Sequence, residues 1–404
     1  MSAVVDVAIV GAGAAGIAAG RRLRDGGHSV LLIEALPRLG GRAHTETIAG
    51  LPLDMGCGWL HSAERNPLVD MAEATGVPLV RGETAWRRQF RNLSFSAREQ
   101  HEAWQAFTDF EERLRRDPPA SDRAGDALGR NDRWRPFLDA LSSYINGAEL
   151  DRLSVADFLA YEDHATDRNW RLPAGYGAFI TSLAADLPVS LGTQVSAVTH
   201  DADVMLETDR GTIRARAAIV TVSTTMLAKS TIRFEPTVDD HLHAAAGLPL
   251  GLADKVYLAM ADPEAVPPES HLVGRIDSAA TGSHYMRPLG RPIIETFFGG
   301  DHAVALEGTD AASFAIEELR ALLGADFARG LTPIATTRWA AEPTIGGSYS
   351  HALPGRADGR ATLAAPVSQQ LCFAGEACSP TSFSTAHGAW ESGLAAAEWI
   401  QRGL

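Results

Sequence analysis

Apolar and polar positions alternate early in the chain. VVDVAIV, residues 4 to 10, is an apolar run broken only by Asp6, and HSVLLIE follows at 28 to 34. Between them lie GAGAAG and IAAGRRLRD, apolar at first, basic towards its end and closed by Gly26 and Gly27. Strand, glycine turn, helix and strand make a βαβ unit, which predicts a parallel sheet at the start of the chain. From about residue 84 the period lengthens. In AREQHEAWQAFTDFEERLRRD, Ala103, Phe107, Phe110 and Leu114 share one helical face before Pro118 and Pro119 end it. SVADFLAYE starts another helix, with Ser154 as cap and Asp157 three residues on. After PAGYGAF the pattern returns to short strands, TQVSAVTH, DVMLET and ARAAIVTVS. A mixed stretch from about 241 to 339 holds the strand PIIETFF and a helix near 311 to 323, and the chain closes with the helix AWESGLAAAEWIQRGL.

Within that mixed stretch, GLADKVYLAM at 251 to 260 alternates like a buried strand, with Val256, Leu258 and Met260 opposite Lys255 and Tyr257. Lysines are mostly exposed. Lys255 is therefore either a solvated residue on the strand's outer face or a charge held in a cavity for a purpose.

At 404 residues the chain exceeds one ordinary core, so two domains, or one with a large insertion, are expected. Hydrophobic residues at 45% and charged residues at 21% describe a globular chain, and no apolar run approaches the ~18 residues of a membrane span. The start enters a strand with no basic segment and apolar stretch before it, which places the protein in the cytoplasm. Cys57, Cys372 and Cys378 are too few and too scattered for a disulfide framework or a zinc ribbon, and fit a reducing compartment. A net charge of −14 speaks against nucleic acid and leans towards cationic substrates. No metal site is expected.

Candidate chemistry begins at Gly11-x-Gly13-x-x-Gly16, which follows a strand and opens a helix, with Glu34 at the end of the next strand. Glycines let the backbone approach a pyrophosphate, the helix N-terminus offers N–H groups to it, and Glu34 can accept from a ribose diol. A carboxylate there would repel a 2′-phosphate. A plain nicotinamide fold does not need what comes next: RLGGRAHT, residues 38 to 45, adds Arg42 behind a second glycine pair, and FAGEACS places Glu376 after a short apolar strand near the far end.

Together these resemble the glutathione-reductase-like FAD proteins, and more narrowly the flavin-dependent amine oxidase family. DMGCGWLHSAERNPL, residues 54 to 68, is similar to the segment lining the flavin ring in polyamine oxidases, with Trp59 and then His61. FAGEACSPTSFSTAHGAWESG, 373 to 393, resembles the family's closing FAD segment, and its STAHGA is nearest the spermine-oxidase branch. GGSYS, 346 to 350, matches the aromatic-cage segment, and LADKVYL the strand carrying the flavin-facing lysine. These matches span nearly the whole chain in order.

The resemblance implies an α/β fold: a glutathione-reductase-like FAD-binding Rossmann domain (1–75, 176–240 and 340–404) with an interleaved mixed α+β substrate domain (76–175 and 241–339). It implies non-covalent FAD, because Ser348 stands where monoamine oxidases carry the linking cysteine. The cofactor would be met by Gly11, Gly13, Gly16, Glu34, Gly41, Arg42, Gly56, Trp59 and Val195, and by Trp339, Gly375, Glu376, Ser384, Thr385 and Ala386. Lys255 would hold a water against flavin N5, a desolvated lysine of lowered pKa. Tyr349 would form an aromatic wall, and Thr385 stands where monoamine oxidases have a second aromatic. His61 would either orient the amine or be packed and structurally bonded. His387 would support the FAD segment without chemistry.

An aromatic stripe such as Trp104, Phe107 and Phe110 is usually core, although in this family that region covers the substrate cavity. The implied activity is oxidation of an amine, a polyamine or another primary or secondary amine, to an imine, with oxygen reduced to hydrogen peroxide. The alternatives are an L-amino-acid oxidase or desaturase-like flavoprotein, for which Arg338 is the cation to consider, and a non-catalytic flavin-binding module. A monomer or homodimer is expected, with no membrane anchor. Two features depart from the family: the chain is short, and TVSTTML at 221 to 227 lacks the usual proline.

Overall fold

The computed structural model describes residues 4–86, 89–91, 93, 95–129, 131–201 and 203–404. Val4–Val10 and Val30–Ile33 pair in parallel around the helix Ala14–Asp25, as the βαβ pattern predicts. The sheet they start runs, in order, Val189–Ser190, Val30–Ile33, Val4–Val10, Gly211–Val220, Val204–Thr208, Val195–Thr199 and Arg233–Glu235. Gly211–Val220 is the hinge of this topology. Its first half takes an antiparallel neighbour, Val204–Thr208, and its second half a parallel one, Leu371–Phe373. That last strand delivers the chain's end to the nucleotide side of the sheet, where Glu376 follows at once.

A second sheet of five antiparallel strands runs Ser270–Val273, Ser283–Met286, Ile293–Gly299, Ala253–Met260 and Leu331–Thr336. Side chains alternate across it with the period of two that a strand imposes. Val256, Leu258, Met260, Leu272, Met286, Ile294 and Phe298 pack on one face against the helices Gly300–Glu307 and Ala311–Leu323. The other face carries Lys255, His271, Ser283, Tyr285, Glu295 and Phe297 into a large cavity. A face of mixed polar and aromatic groups over a void marks a binding surface rather than a core.

Helices close the cavity from the far side. Ala97–Arg116 is held by a capping box, with the Ser96 hydroxyl accepting from Glu99 N–H and the Glu99 carboxylate accepting from Ser96 N–H, and it buries Ala103, Phe107, Phe110 and Leu114. Ser154 caps Val155–Glu162 by accepting from Asp157 N–H at 3.2 Å, but the Asp157 carboxylate does not return the favour. It takes the Arg360 guanidinium from Nε at 2.5 Å and Nη2 at 2.8 Å, because a buried fork-to-fork ion pair outweighs a cap at a helix end.

Candidate active site

One continuous cavity of about 1270 Å³ joins the glycine turn of the first sheet to the polar face of the second. Pockets for a drug-sized ligand run to about 1,000 Å³. This one has room for a dinucleotide and a second molecule.

At the nucleotide end, Gly11 and Gly13 line the wall, and the helix Ala14–Asp25 starts there with no side chain over its first turn, leaving N–H groups for an anion. Gly16 does not face the cavity. A Cβ there would lie 2.0 Å from the Gly11 carbonyl oxygen, so its place in the motif is to let helix and turn touch. Glu34 accepts from Ala12 N–H at 2.7 Å and Leu36 N–H at 2.9 Å, one to each oxygen, so a lone pair on each remains for a diol. Val195, Gly41 and Arg42 continue the wall.

Arg42 donates from Nη1 to Ser348 O at 2.7 Å and Glu376 Oε1 at 2.8 Å. Glu376 also accepts from Ser350 N–H, Ser350 Oγ and Ser384 N–H. Burial would raise that carboxyl, but Arg42 and these donors hold it below the ordinary range. The carboxylate therefore ties three cavity-lining segments together. Beside it, a Cβ built on Gly375 meets no protein atom within 4 Å: it would stand in the cavity itself. The glycine turn, the open helix end, the diol-ready carboxylate and this cradle fit the flavin dinucleotide expected from the sequence.

Past that end lie Gly56, Trp59, His61, Lys255, Trp339, Tyr349, Thr385 and Ala386, all on the cavity wall. Lys255 is 5% exposed, so the solvated-strand alternative fails. It is not an isolated amine either. Its Nζ donates to Asp54 O at 2.8 Å and pairs with Glu295 Oε1 at 2.9 Å. The other Glu295 oxygen accepts from Arg171 Nη2 at 3.1 Å. Burial would raise the Glu295 carboxyl, but the two cations outweigh it and bring it down to about 2.

Tyr349 does not sit in a strand. The segment from 339 to 349 is loop, pinned just ahead of the strand Ala253–Met260, where Gly251 N–H donates to Tyr349 O and Ser348 N–H to Gly251 O. The Tyr349 hydroxyl donates to Tyr144 O at 2.5 Å, which fixes the ring as wall, and burial pushes its ionisation up. Ser348 donates to Ala253 O and accepts from Ala253 N–H. Thr385 caps the last helix, Ala386–Gly403, by accepting from Gly388 N–H. Trp339 donates from Nε1 to Met55 O at 3.2 Å.

The His61 Nδ1 lies 2.7 Å from Asn169 Oδ1, and the Asn169 amide donates to Asp167 O, so the imidazole is the donor and its Nε2 is left as an acceptor. Burial lowers its pKa against that hydrogen bond, which favours the neutral ring. His387 lies off the cavity wall, its pKa lowered to about 3 by burial. Arg338 is exposed and flanks a separate small crevice.

Glu295, Arg171 and Asn169 escaped the sequence reading, as did Trp86, whose ring meets that of Trp59 edge-on at 4.8 Å. One signal was present: Glu295 is the lone charge inside an apolar strand, PIIETFF. The cavity lining also includes the exposed Glu83 and Asp167 and the half-buried Glu162, with Trp104 and Phe107 from the long helix.

Comparison with known proteins gives a consistent picture. A family model for flavin containing amine oxidoreductases matches residues 14–401. The chain is 28% identical to polyamine oxidase 5 of Oryza sativa subsp. japonica over 98% of its own length and 88% of that protein's, and 28% identical to polyamine oxidase 2 of Arabidopsis thaliana over 97% and 87%. In structure it superposes on cyclohexylamine oxidase from Brevibacterium oxydans IH-35A with a TM-score of 0.80 at 19% identity, covering 98% of this chain and 99% of that one. A putrescine oxidase solved with putrescine gives 0.78 at 19% identity, with the same coverage.

Proposed function

The chain belongs to the flavin-containing amine oxidoreductase family, and from that membership we propose that its substrate is an amine carrying a second positive charge, met at the flavin by Lys255, Tyr349 and His61. It is an FAD-dependent amine oxidase, converting an amine to an imine with reduction of oxygen to hydrogen peroxide. The flavin, when bound, supplies the redox chemistry by taking a hydride equivalent from the carbon beside nitrogen.

The observation that carries the proposal is that one cavity is lined by the Gly11 turn, by Lys255 and by the carboxylates of the exposed Glu83 and Asp167 and the half-buried Glu162 at its rim. The chain's own residues divide the remaining work. The Gly11 turn, Glu34 and the Glu376 clip would hold the dinucleotide without a covalent link, the Ser348 hydroxyl being engaged with Ala253. Trp59, Trp86 and Tyr349 line the cavity, where aromatic rings would guide an ammonium inwards and exclude water. His61, neutral with Nε2 as acceptor, can take a hydrogen bond from the amine and help deliver it unprotonated. The rim carboxylates would hold the distal ammonium.

An α-amino acid is disfavoured by the lining. Arg42 and Lys255 are the cations on the cavity wall among the described residues, and each already has its carboxylate. The name polyamine oxidase on the plant relatives agrees with a polycationic substrate. No helix among the described residues is long and apolar enough to cross a membrane. A cytoplasmic site rests on the free thiols of Cys57, Cys372 and Cys378.

Peroxide release across monoamines, diamines, polyamines and α-amino acids tests the substrate class. The proposal expects the highest kcat/KM for amines with a second ammonium. It also expects Asp167→Asn to raise KM for these by about 2- to 5-fold, the worth of one exposed charge pair, while leaving monoamines unchanged. A preference for monoamines or amino acids would refute it.

A further inference from the structure

The Lys255 strand and the Glu295 strand lie side by side, with Lys255 opposite Phe297 and Tyr257 opposite Glu295. This register brings the Glu295 carboxylate diagonally under the lysine. Side-chain exposures are 6% for Lys255 and 8% for Glu295, and 7% for Arg171. A lone ammonium so buried would shed its proton, because desolvation penalises the charged form. Here three charges stand in a row, Arg171, Glu295 and Lys255.

The Arg171 end of the row is unusual. Its guanidinium carbon lies 4.8 Å from the Trp59 ring centre and 5.5 Å from that of Tyr285, while Nε and Nη1 find no hydrogen-bond acceptor. Two cavity-lining rings take the place of acceptors. A buried triad of this kind is a weak device for stability alone, since a well-packed apolar replacement serves as well. Its placement against the flavin end of the cavity gives it another use.

We propose that Glu295 is the positioning residue of Lys255: backed by Arg171, which cannot give up its proton, it fixes both the place and the positive charge of the ammonium facing the flavin. This rests on the flavin reading of the cavity. Of the three ammonium N–H groups, Glu295 and the Asp54 carbonyl take two. The third has no other acceptor among the described residues, and Lys255 lines the cavity. Lys255 thus stands as a donor held in place by its two partners, with one N–H left for the cavity.

The neighbouring groups leave little else to titrate. Tyr257 and Tyr285 are raised by burial and the Cys57 thiol is pushed up to about 12, so all three stay neutral through the neutral range. Asp54, whose carboxylate accepts from Tyr176 and Gly177 N–H, and Arg291, which donates to Pro52 O and Pro173 O, stand beside them, and His271, two strands from Glu295 on the same face, is lowered to about 3 by burial.

Glu295→Gln keeps the shape and removes the charge. With flavin bound, the absorption spectrum of the parent should be unchanged through neutral pH. In Glu295→Gln it should shift reversibly with pH, as Lys255 releases its proton beside Arg171, and the shift should vanish in Glu295→Gln/Lys255→Met. A Glu295→Gln spectrum as insensitive to pH as the parent's, or a shift that survives in the double variant, overturns the proposal. If Glu295→Gln holds no flavin, melting temperature decides: the double variant should melt higher than Glu295→Gln, having lost the uncompensated ammonium, and equal or lower melting overturns it. Anaerobic mixing of the parent with a diamine reports separately on the amine-oxidase reading. A parent that no amine reduces, together with a pH-dependent Glu295→Gln spectrum, would sink the substrate proposal and leave this one standing.

Discussion

Lys255 and Tyr257, two positions apart on one strand face, donate to the same atom: the carbonyl oxygen of Asp54, at 2.8 Å from Nζ and 2.7 Å from the hydroxyl. The Asp54 carboxylate meanwhile accepts from Tyr176 N–H and Gly177 N–H, at the start of the helix Tyr176–Ser182, and from the Thr45 hydroxyl at 2.6 Å. A single residue thus joins the second sheet to the flavin-side segments, so the distance of Lys255 from the cofactor is set by the framework and not by a loop.

Lys255→Met should therefore fold and bind flavin, losing about 1–3 kcal/mol for the missing hydrogen bond and leaving Glu295 paired with Arg171. Stopped-flow measurement should show reoxidation by oxygen slowed on the order of 10²-fold, the usual worth of one preorganised donor aimed at developing negative charge, with reduction by amine affected less. Equal losses in both half-reactions would assign the lysine a merely structural part.

Arg360→Met should be more damaging to the fold. Arg360 forks onto Asp157, donates to Ser350 Oγ at 2.9 Å and lies 3.5 Å from the Phe383 ring centre. The change strands a buried carboxylate, and urea denaturation should report a loss of about 3–5 kcal/mol.

Stability should also carry an identifiable pH dependence from Asp254. Burial raises its carboxyl from the ordinary 3.8 to about 7, opposed by donors from Thr337 and Trp339 and assisted by Glu307. The folded state keeps a proton that the unfolded chain releases. This contribution is complete below about 4, is lost as pH rises from there to about 7, and is flat above. Melting curves across that window should show the slope in the parent and its loss in Asp254→Asn, whose amide can donate towards Glu307 in place of the proton.

Gly375→Val should leave a folded but flavin-poor protein. The backbone there has φ of +150°, strained for any side chain at a cost of about 1–3 kcal/mol, and the new group would occupy cofactor space. The flavin-to-protein absorbance ratio of the purified variant measures it.

Local periodicity made much of this legible in the sequence. The βαβ start, the Lys255 strand with its two faces, and the buried stripe Ala103, Phe107, Phe110 and Leu114 all follow from spacings of two or of three and four. What stayed hidden depends on partners far along the chain. Asp157 resembles a cap residue until Arg360, 203 positions away, claims its carboxylate. Arg171 meets Glu295 across 124 positions, and only strand register reveals that Glu295 lies beneath Lys255. Tyr349 reaches the cavity wall from a loop tied to Gly251, more than ninety positions earlier, and no spacing within GGSYS announces that tie.

The most direct measurement is anaerobic titration of the purified protein with a diamine, followed by its visible absorption. The account predicts a yellow protein whose flavin bands are lost at one equivalent of amine per flavin and return on admission of oxygen, with peroxide formed. A protein that stays colourless after incubation with FAD, or whose bands no amine removes, would contradict it.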